Sequence, residues 1–361
     1  MLREVMFSSI YGGLKMEYIF LYVFLAIVCF GRASINKVGI NNTVEIQKNA
    51  NKLRGLFALF IVFTHCTLAY ETLPVLLIPL RKVSTFGVGF FFVLSGYGLA
   101  YSYYTKSDYL KGFIYNKILK KIVVAAIICR IVSKILLVIF LDDTFAMTVS
   151  LFLEGINWYI YAMILLYAIF YIVYKYINGD NRKLITLWCI VIIITLMLLY
   201  VSNHYVIIDR SYFISEWAFP FGVTIYCKRD KIDFWINNHI WKISIVMFIS
   251  LAVLFLGASI ANEYTIADLV THNMMLFPFY YFVMLLCRYF KFGNQVLNFL
   301  NSISFEIYLY QFAILIILKK NIHSIDVMYF VWVTFITIVL AFMVNLIPKI
   351  IKVLSEGIKK L

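Results

Sequence analysis

The chain has 361 residues, 63% of them hydrophobic and only 14% charged, and it carries a net charge of +14. A water-soluble core of this size needs far fewer apolar side chains, so the composition excludes a soluble protein and predicts an integral membrane protein. The basic residues lie in short segments between apolar runs, where positive charge orients the chain, and they predict no nucleic-acid partner. The six cysteines show no metal-ligand spacing, so no metal site is expected.

Eleven apolar runs follow one another along the chain. Most approach the roughly 20 residues that a helix needs to cross the hydrocarbon, although the first is short and is interrupted by Gly31 and Arg32. The pattern predicts an all-α, polytopic integral membrane protein with about eleven transmembrane helices. The predicted spans are 17–33, 55–72, 83–102, 118–141, 157–177, 184–202, 211–227, 238–260, 266–288, 298–318 and 327–348.

The segments between these runs alternate in charge. If the segment from Arg32 to Arg54 is cytoplasmic, the segments on its side hold 23 of the 32 basic residues, and those on the other side hold seven. Basic residues concentrate in cytoplasmic segments. This bias predicts a multi-pass protein of the cell membrane with a cytoplasmic C-terminus. The residues before Met16 fit neither side well, so Met16 rather than Met1 is the expected native start.

A histidine lies inside the second apolar run, in the stretch LRGLFALFIVFTHC at 53–66. At the helical rise, His65 lies roughly 16 Å beyond Arg54, near the middle of the membrane. A polar group at that depth is costly unless it is paired or functional. His65 is therefore either a hydrogen-bonded packing residue or a proton-exchanging group, a role to which imidazole is suited.

The third apolar run contains GVGFFFVLSGYGLAYSY, at 87–103. Its four glycines allow the backbone of another helix to approach closely, which packing alone explains. Ser95 and Tyr97 add hydroxyl groups on the cytoplasmic half of the run, which packing does not require.

Charged and polar residues also occur in later runs. Arg130 and Lys134 are four residues apart, on one helical face, and Glu306 lies at a similar depth in the run at 298–318. Two interpretations are open. These residues form a buried ion pair between helices, or Glu306 belongs with Tyr308 and Gln311 to a polar pocket for an acceptor substrate.

Arg54 and His65 in R-x10-H spacing, followed by FFVLSGY, resemble the opening of the acyltransferase 3 family of membrane-bound acyltransferases. The resemblance extends over about 50–348 and departs from the family at Gln311, where His is common. Four further segments follow in the family's order: FIYNKILKKI (113–122), with Lys117, Lys120 and Lys121 in place of arginines, NWYIYAMILLY (157–167), FPFGVTIYCKR (219–229) and SISFEIYLYQF (302–312).

The resemblance implies a domain organisation. Residues 1–49 form an N-terminal segment with an extra span and a cytoplasmic linker. Residues 50–348 form the ten-helix acyltransferase domain, and residues 349–361 form a short basic cytoplasmic tail.

The resemblance also implies an activity: O-acetylation of a bacterial cell-surface polysaccharide, a capsule or exopolysaccharide or its lipid-linked precursor, with acetyl-CoA as donor. His65, as general base or transient acyl carrier, and Arg54 are expected in the catalytic centre. The implied contacts are Arg54, Lys117, Lys120, Lys121, Ser95 and Tyr97 for the donor, and Glu306, Tyr308, Gln311 and Arg130 for the acceptor. Membrane lipid is the remaining expected partner.

A membrane transporter or flippase for a polysaccharide precursor is the competing interpretation. Such carriers often show repeated halves and paired helices broken by Gly or Pro, and this sequence shows neither. An inactive partner subunit is a third interpretation that the residues leave open.

Overall fold

The computed structural model describes residues 16–37, 39–141, 157–205, 208–321 and 325–358, with side chains up to residue 347. Residues 1–15, which include Met1, and residues 359–361 lie outside the described part. The described chain is a bundle of helices with one two-stranded ladder. Its elements are α1 (Ile19–Phe30), β1 (Ser34–Ile35), α2 (Thr43–Ala50), α3 (Arg54–Thr67), α4 (Ile78–Lys82), α5 (Ser84–Thr105), α6 (Ile114–Leu141), α7 (Trp158–Tyr176), α8 (Asp180–His204), α9 (Ala218–Cys227), α10 (Arg229–Ile260), α11 (Ile266–Tyr289), β2 (Phe290–Lys291), α12 (Gln295–Ser302), α13 (Ser304–Asn321) and α14 (Val327–Ile358).

Seven of the described helices are long and apolar enough to cross a membrane, and α12 with α13 adds an eighth if that bent pair is one span. The other three predicted spans correspond to the shorter helices α1, α3 and α9. The protein is therefore an all-helical, polytopic membrane protein, as predicted. The count of eleven spans stays a prediction, because a helix of 14 residues such as α3 is only about 21 Å long.

The predicted span at 211–227 becomes a helix only at Ala218, and the residues before it form a loop that starts with a short 3-10 turn. Asn273 on α11 explains this difference. Its amide oxygen accepts from the Trp217 backbone N–H at 3.0 Å, and its amide nitrogen donates to the Phe213 carbonyl at 2.8 Å. A buried loop must satisfy its backbone polar groups without helical hydrogen bonds. Asn273 does this from a neighbouring helix.

The predicted span at 298–318 is broken between Ser302 and Ser304, where α12 and α13 meet at a bend of 72°. The bend lies against Gly55 in the first turn of α3, where an added Cβ would lie 2.4 Å from the Leu300 Cβ. The glycine therefore lets α12 touch the start of α3. This contact brings the residues that begin α13 close to Arg54.

Glycines also join α5 to α9. A Cβ on Gly96 would lie 2.1 Å from the Phe219 carbonyl oxygen, and one on Gly222 would lie 2.1 Å from the Val93 carbonyl oxygen. The two backbones touch because neither glycine carries a side chain. The glycine-rich run at 87–103 therefore acts partly as a helix-packing face, as its composition indicates.

Replacing Gly222 with alanine is expected to lower the free energy of unfolding by about 1–3 kcal/mol, because its Cβ would overlap the Val93 carbonyl. Thermal unfolding and size-exclusion profiles in detergent measure this. The matched control is Gly98→Ala on α5, where a Cβ meets no described atom within 4 Å. That variant should be unchanged or stabilised by about 0.5–1 kcal/mol. Equal losses in the two variants would contradict the close backbone contact.

Candidate active site

His65 lies in the last turn of α3 and is hydrogen-bonded to Gln311 on α13. The Nδ1 atom of His65 is 3.0 Å from the Oε1 atom of Gln311. The Gln311 Nε2 donates to the Tyr308 carbonyl at 3.0 Å, so its amide oxygen faces the imidazole. Nδ1 of His65 must then carry the proton and donate it. Nε2 is left as the nitrogen that can accept a proton.

The His65 pocket is a small space of about 80 Å³ next to this histidine. Its polar lining comes from Ser84 and Thr85 at the start of α5, from Ser211 and Ser215 in the loop before α9, and from Tyr308. Trp158 closes another side. This volume has room for several water-sized groups beside the imidazole.

Tyr308 lies between the His65 pocket and a larger space, because it lines both. Its hydroxyl donates to the Asn157 Oδ1 at 3.0 Å, and the same oxygen accepts from the Tyr159 backbone N–H at 3.0 Å as the N-cap of α7. The Tyr159 ring lies 4.8 Å from the Tyr308 ring. Asn157 therefore fixes both the start of α7 and the position of Tyr308.

The larger space, the Arg54 cavity, has a volume of about 390 Å³. Arg54 has a buried Nε atom with no hydrogen-bond partner among the described residues, and a buried N–H group of this kind favours an anionic or strongly accepting ligand. The polar and charged residues that line the cavity are Arg54, Ser95, Lys117, Lys121, Tyr159, Tyr167, Asn301, Ser302, Ser304, Glu306 and Tyr308. Three cations against one carboxylate make the cavity electropositive.

Most of the residues predicted from sequence lie around these two adjoining spaces. The Arg54 cavity brings together Arg54, Ser95, Lys117, Lys121, Glu306 and Tyr308, and the His65 pocket adjoins it through Tyr308. Two predicted donor contacts lie elsewhere. Lys120 is exposed outside the cavity, and the buried Tyr97 packs edge to face with Tyr226 at 5.4 Å.

Arg130 and Glu306 line different cavities. Glu306 lies in the Arg54 cavity and accepts a hydrogen bond from Asn345 at 3.0 Å. Arg130 lines a separate, mainly apolar cavity of about 330 Å³ that also includes Trp158 and Phe312. The Phe312 ring lies 4.5 Å from the His65 ring. This third cavity therefore approaches the histidine from another side.

Sequence reasoning missed Asn157, Trp158 and Ser211 as site residues. Asn157 had a usable signal, because an asparagine directly before an apolar helical run is a typical N-cap. Ser211 had no usable signal, since it lies in a stretch whose hydrophobicity predicts part of a membrane span. In the part of the chain that the structure describes, no group of three His, Cys, Asp or Glu side chains is placed to hold a metal ion.

A family model described as an acyltransferase domain matches residues 49–346, which is most of the chain. The chain belongs to the acyltransferase 3 family. No curated protein and no solved structure matches it. Membership of this family makes the protein a membrane acyltransferase. Within the candidate site, Nε2 of His65 is a nitrogen that can accept a proton.

The hydrogen bond that His65 donates to Gln311 is expected to control the orientation of His65 in this acyltransferase. Gln311→Leu removes the acceptor for Nδ1–H, so kcat should fall about 10²-fold, the lower end of what general-base catalysis contributes, with little change in KM. Gln311→Glu keeps an acceptor oxygen and should retain more activity. Acyl-transfer kinetics and thermal unfolding of both variants measure this. Equal activity in the two variants would show that the side chain acts only by packing.

Proposed function

We propose that the protein transfers an acetyl group from acetyl-CoA to a hydroxyl group of a bacterial cell-surface polysaccharide or of its lipid-linked precursor. One observation carries this proposal: an electropositive cavity at the start of α3 adjoins, across Tyr308, the pocket of the histidine near the end of the same helix. The donor phosphates would lie at Arg54. The reacting thioester would lie toward His65, about 16 Å further along the helix.

The surroundings of the Arg54 cavity support a CoA thioester as donor. Lys117 lines this cavity, and its Nζ atom lies 5.4 Å from the centre of the Tyr109 ring. Tyr109 in turn lines a neighbouring cavity of about 560 Å³. The other polar and charged residues that line that cavity are Tyr103, Tyr104, Lys106, Lys111 and Lys183, together with two carboxylates, Asp108 and Asp180. Lysines suit the phosphates of CoA, and tyrosine rings suit its adenine base.

The chemistry follows from the tautomer of His65. As general base, Nε2 takes the proton of the acceptor hydroxyl, and the hydroxyl oxygen bonds to the carbonyl carbon of the thioester. The carbon–sulfur bond breaks, and the imidazolium returns its proton to the CoA sulfur. In the alternative, Nε2 bonds to the carbonyl carbon of the thioester, the carbon–sulfur bond breaks and CoA leaves as its thiolate. The hydroxyl oxygen then bonds to the same carbon, the bond to Nε2 breaks, and the hydroxyl proton passes to the thiolate. In both cases Gln311 Oε1 accepts from Nδ1–H and stabilises the imidazolium.

The orientation in the membrane is part of the proposal. The lysines around the Arg54 end belong to the segments that the positive-inside rule assigns to the cytoplasm, where acetyl-CoA is made. The C-terminus would then be cytoplasmic as well. His65 and the residues beyond it would face the other side, toward the cell surface.

His65→Ala is expected to abolish transfer of label from acetyl-CoA to surface polysaccharide, because the proton acceptor is lost, while binding of acetyl-CoA to purified protein persists. Radiolabel in isolated polysaccharide and acetyl-CoA binding measure the two effects. Transfer that survives in this variant would refute the catalytic role of His65. If the wild type transfers no label but is required for polysaccharide export, the flippase interpretation is correct.

Single substitutions of the lysines test the proposed donor site. Lys117→Ala and Lys121→Ala should each raise the KM for acetyl-CoA about five- to tenfold, the effect of losing one charge-assisted contact. Lys120→Ala should leave this KM unchanged, because Lys120 lies outside the cavity. Steady-state kinetics measure all three. An equal rise in the three variants would mean that the lysines act through general membrane orientation or charge, not through this cavity.

A further inference from the structure

A second charged cavity adjoins the His65 pocket on the side away from Arg54. It has a volume of about 570 Å³ and shares Ser84, Thr85, Ser211 and Ile214 with the pocket. We name it the Arg81 cavity; its charged and titratable lining consists of Arg81, Lys82, Asp209, Arg210, Glu263 and His272. The shared residues make it a direct continuation of the space beside the histidine.

One wall of the Arg81 cavity is a closed network of charges. Arg210 donates from Nε to Asp268 Oδ2 at 2.8 Å and from NH1 to Glu263 Oε1 at 2.9 Å. Its NH2 lies 3.1 Å from the Nε2 atom of His272, and the Nδ1 atom of that histidine lies 2.9 Å from Asp268 Oδ1. Arg210 meets two carboxylates here, Glu263 and Asp268, so its charge is more than compensated within the wall.

The opposite wall carries two cations that do not belong to this network. Arg81 and Lys82 end α4, which is held against α3 by the Thr64 hydroxyl, a donor to the Leu80 carbonyl at 2.6 Å. Among the described residues, neither cation has a carboxylate within ion-pair distance. Lys82 instead lies over the Phe255 ring, with its Nζ atom 5.4 Å from the ring centre.

One more feature of this wall favours an anion, and one opposes it. The first turn of α5 begins at Ser84, directly after these cations, and a helix N-terminus attracts anions. The exposed Asp209 at the rim directs its Oδ1 to the Ser211 backbone N–H at 2.8 Å, so that oxygen is held by its own turn. The two cations of the cavity that have no carboxylate within ion-pair distance thus lie beside Ser84 and Thr85, on the path to His65.

We propose that the Arg81 cavity binds the acceptor, and that the acceptor is an anionic glycan. Its carboxylate or phosphate groups contact Arg81 and Lys82, while a sugar hydroxyl passes Ser84, Thr85 and Ser211 to reach His65. This inference rests on the proposed function, because it places the acceptor opposite the donor cavity. The serine and threonine hydroxyls suit a sugar, which offers hydroxyl groups that donate and accept hydrogen bonds.

Binding of defined oligosaccharides to the purified full-length protein tests the inference. The probes are fluorescently labelled oligogalacturonate, poly(glycerol phosphate) and neutral dextran, with fluorescence anisotropy as the readout. Both anionic probes, or one of them, should bind more tightly than dextran, and added salt should weaken their binding. Carboxylate and phosphate acceptors are distinguished by which probe binds.

The double variant Arg81→Gln, Lys82→Gln should weaken binding of the anionic probe at least about tenfold, since two charge-assisted contacts are lost. Both side chains are exposed, so folding is not at risk. The matched control is Lys319→Gln, Lys320→Gln, two exposed lysines at the end of α13 outside the Arg81 cavity. The control should bind the probes as the wild type does.

Three results would overturn the inference: dextran binds as tightly as the anionic probes, none of the probes binds, or the two double variants lose affinity equally. Acetyl-CoA binding, measured on the same samples, separates this failure from that of the proposed function. If the protein binds acetyl-CoA and transfers label, but loss of the charges at Arg81 and Lys82 does not change probe binding, only the anionic acceptor is refuted. A protein that transfers no label refutes the acetyltransferase proposal itself.

Discussion

The hydrogen bond between His65 and Gln311 is the constraint around which this acyltransferase is arranged. It joins α3 to α13 and leaves the second imidazole nitrogen free to accept a proton. The contact depends on the bend before Ser304, which in turn depends on Gly55, because any larger residue would push α12 away from α3. The close contact at Gly55, at the start of α3, therefore determines the side-chain contact of His65 near the end of the same helix.

The three spaces around this bond lie next to one another in a row. Tyr308 separates the Arg54 cavity from the His65 pocket, and Ser84, Thr85 and Ser211 lead from the pocket to the Arg81 cavity. Under the proposed function, donor and acceptor approach the histidine from opposite sides, and neither has to cross the membrane. Cations at both ends would then serve two different anions, the CoA phosphates and the acidic groups of the glycan.

The lining of the cavity was predictable from sequence only in part, and the differences have simple geometric causes. Lys120 and Lys121 are adjacent, yet only the second lines the cavity, because packing sets the rotation of a helix and Ile114–Val123 is π-helical. Ser95 and Tyr97 are two residues apart, and such residues face different sides of a helix. Of this pair only Ser95 reaches the cavity, a difference that the spacing already indicated.

The sequence by itself determined the environment and the chemistry of this protein. Apolar composition requires a membrane, and the R-x10-H spacing with its following segments indicates the acyltransferase family. Only the tertiary structure decided the partner of His65, the loop held by Asn273 and the bend before Ser304. These features rest on contacts between residues far apart in the chain, such as the 246 positions between His65 and Gln311. Local patterns of hydrophobicity carry no information about which distant residues will meet.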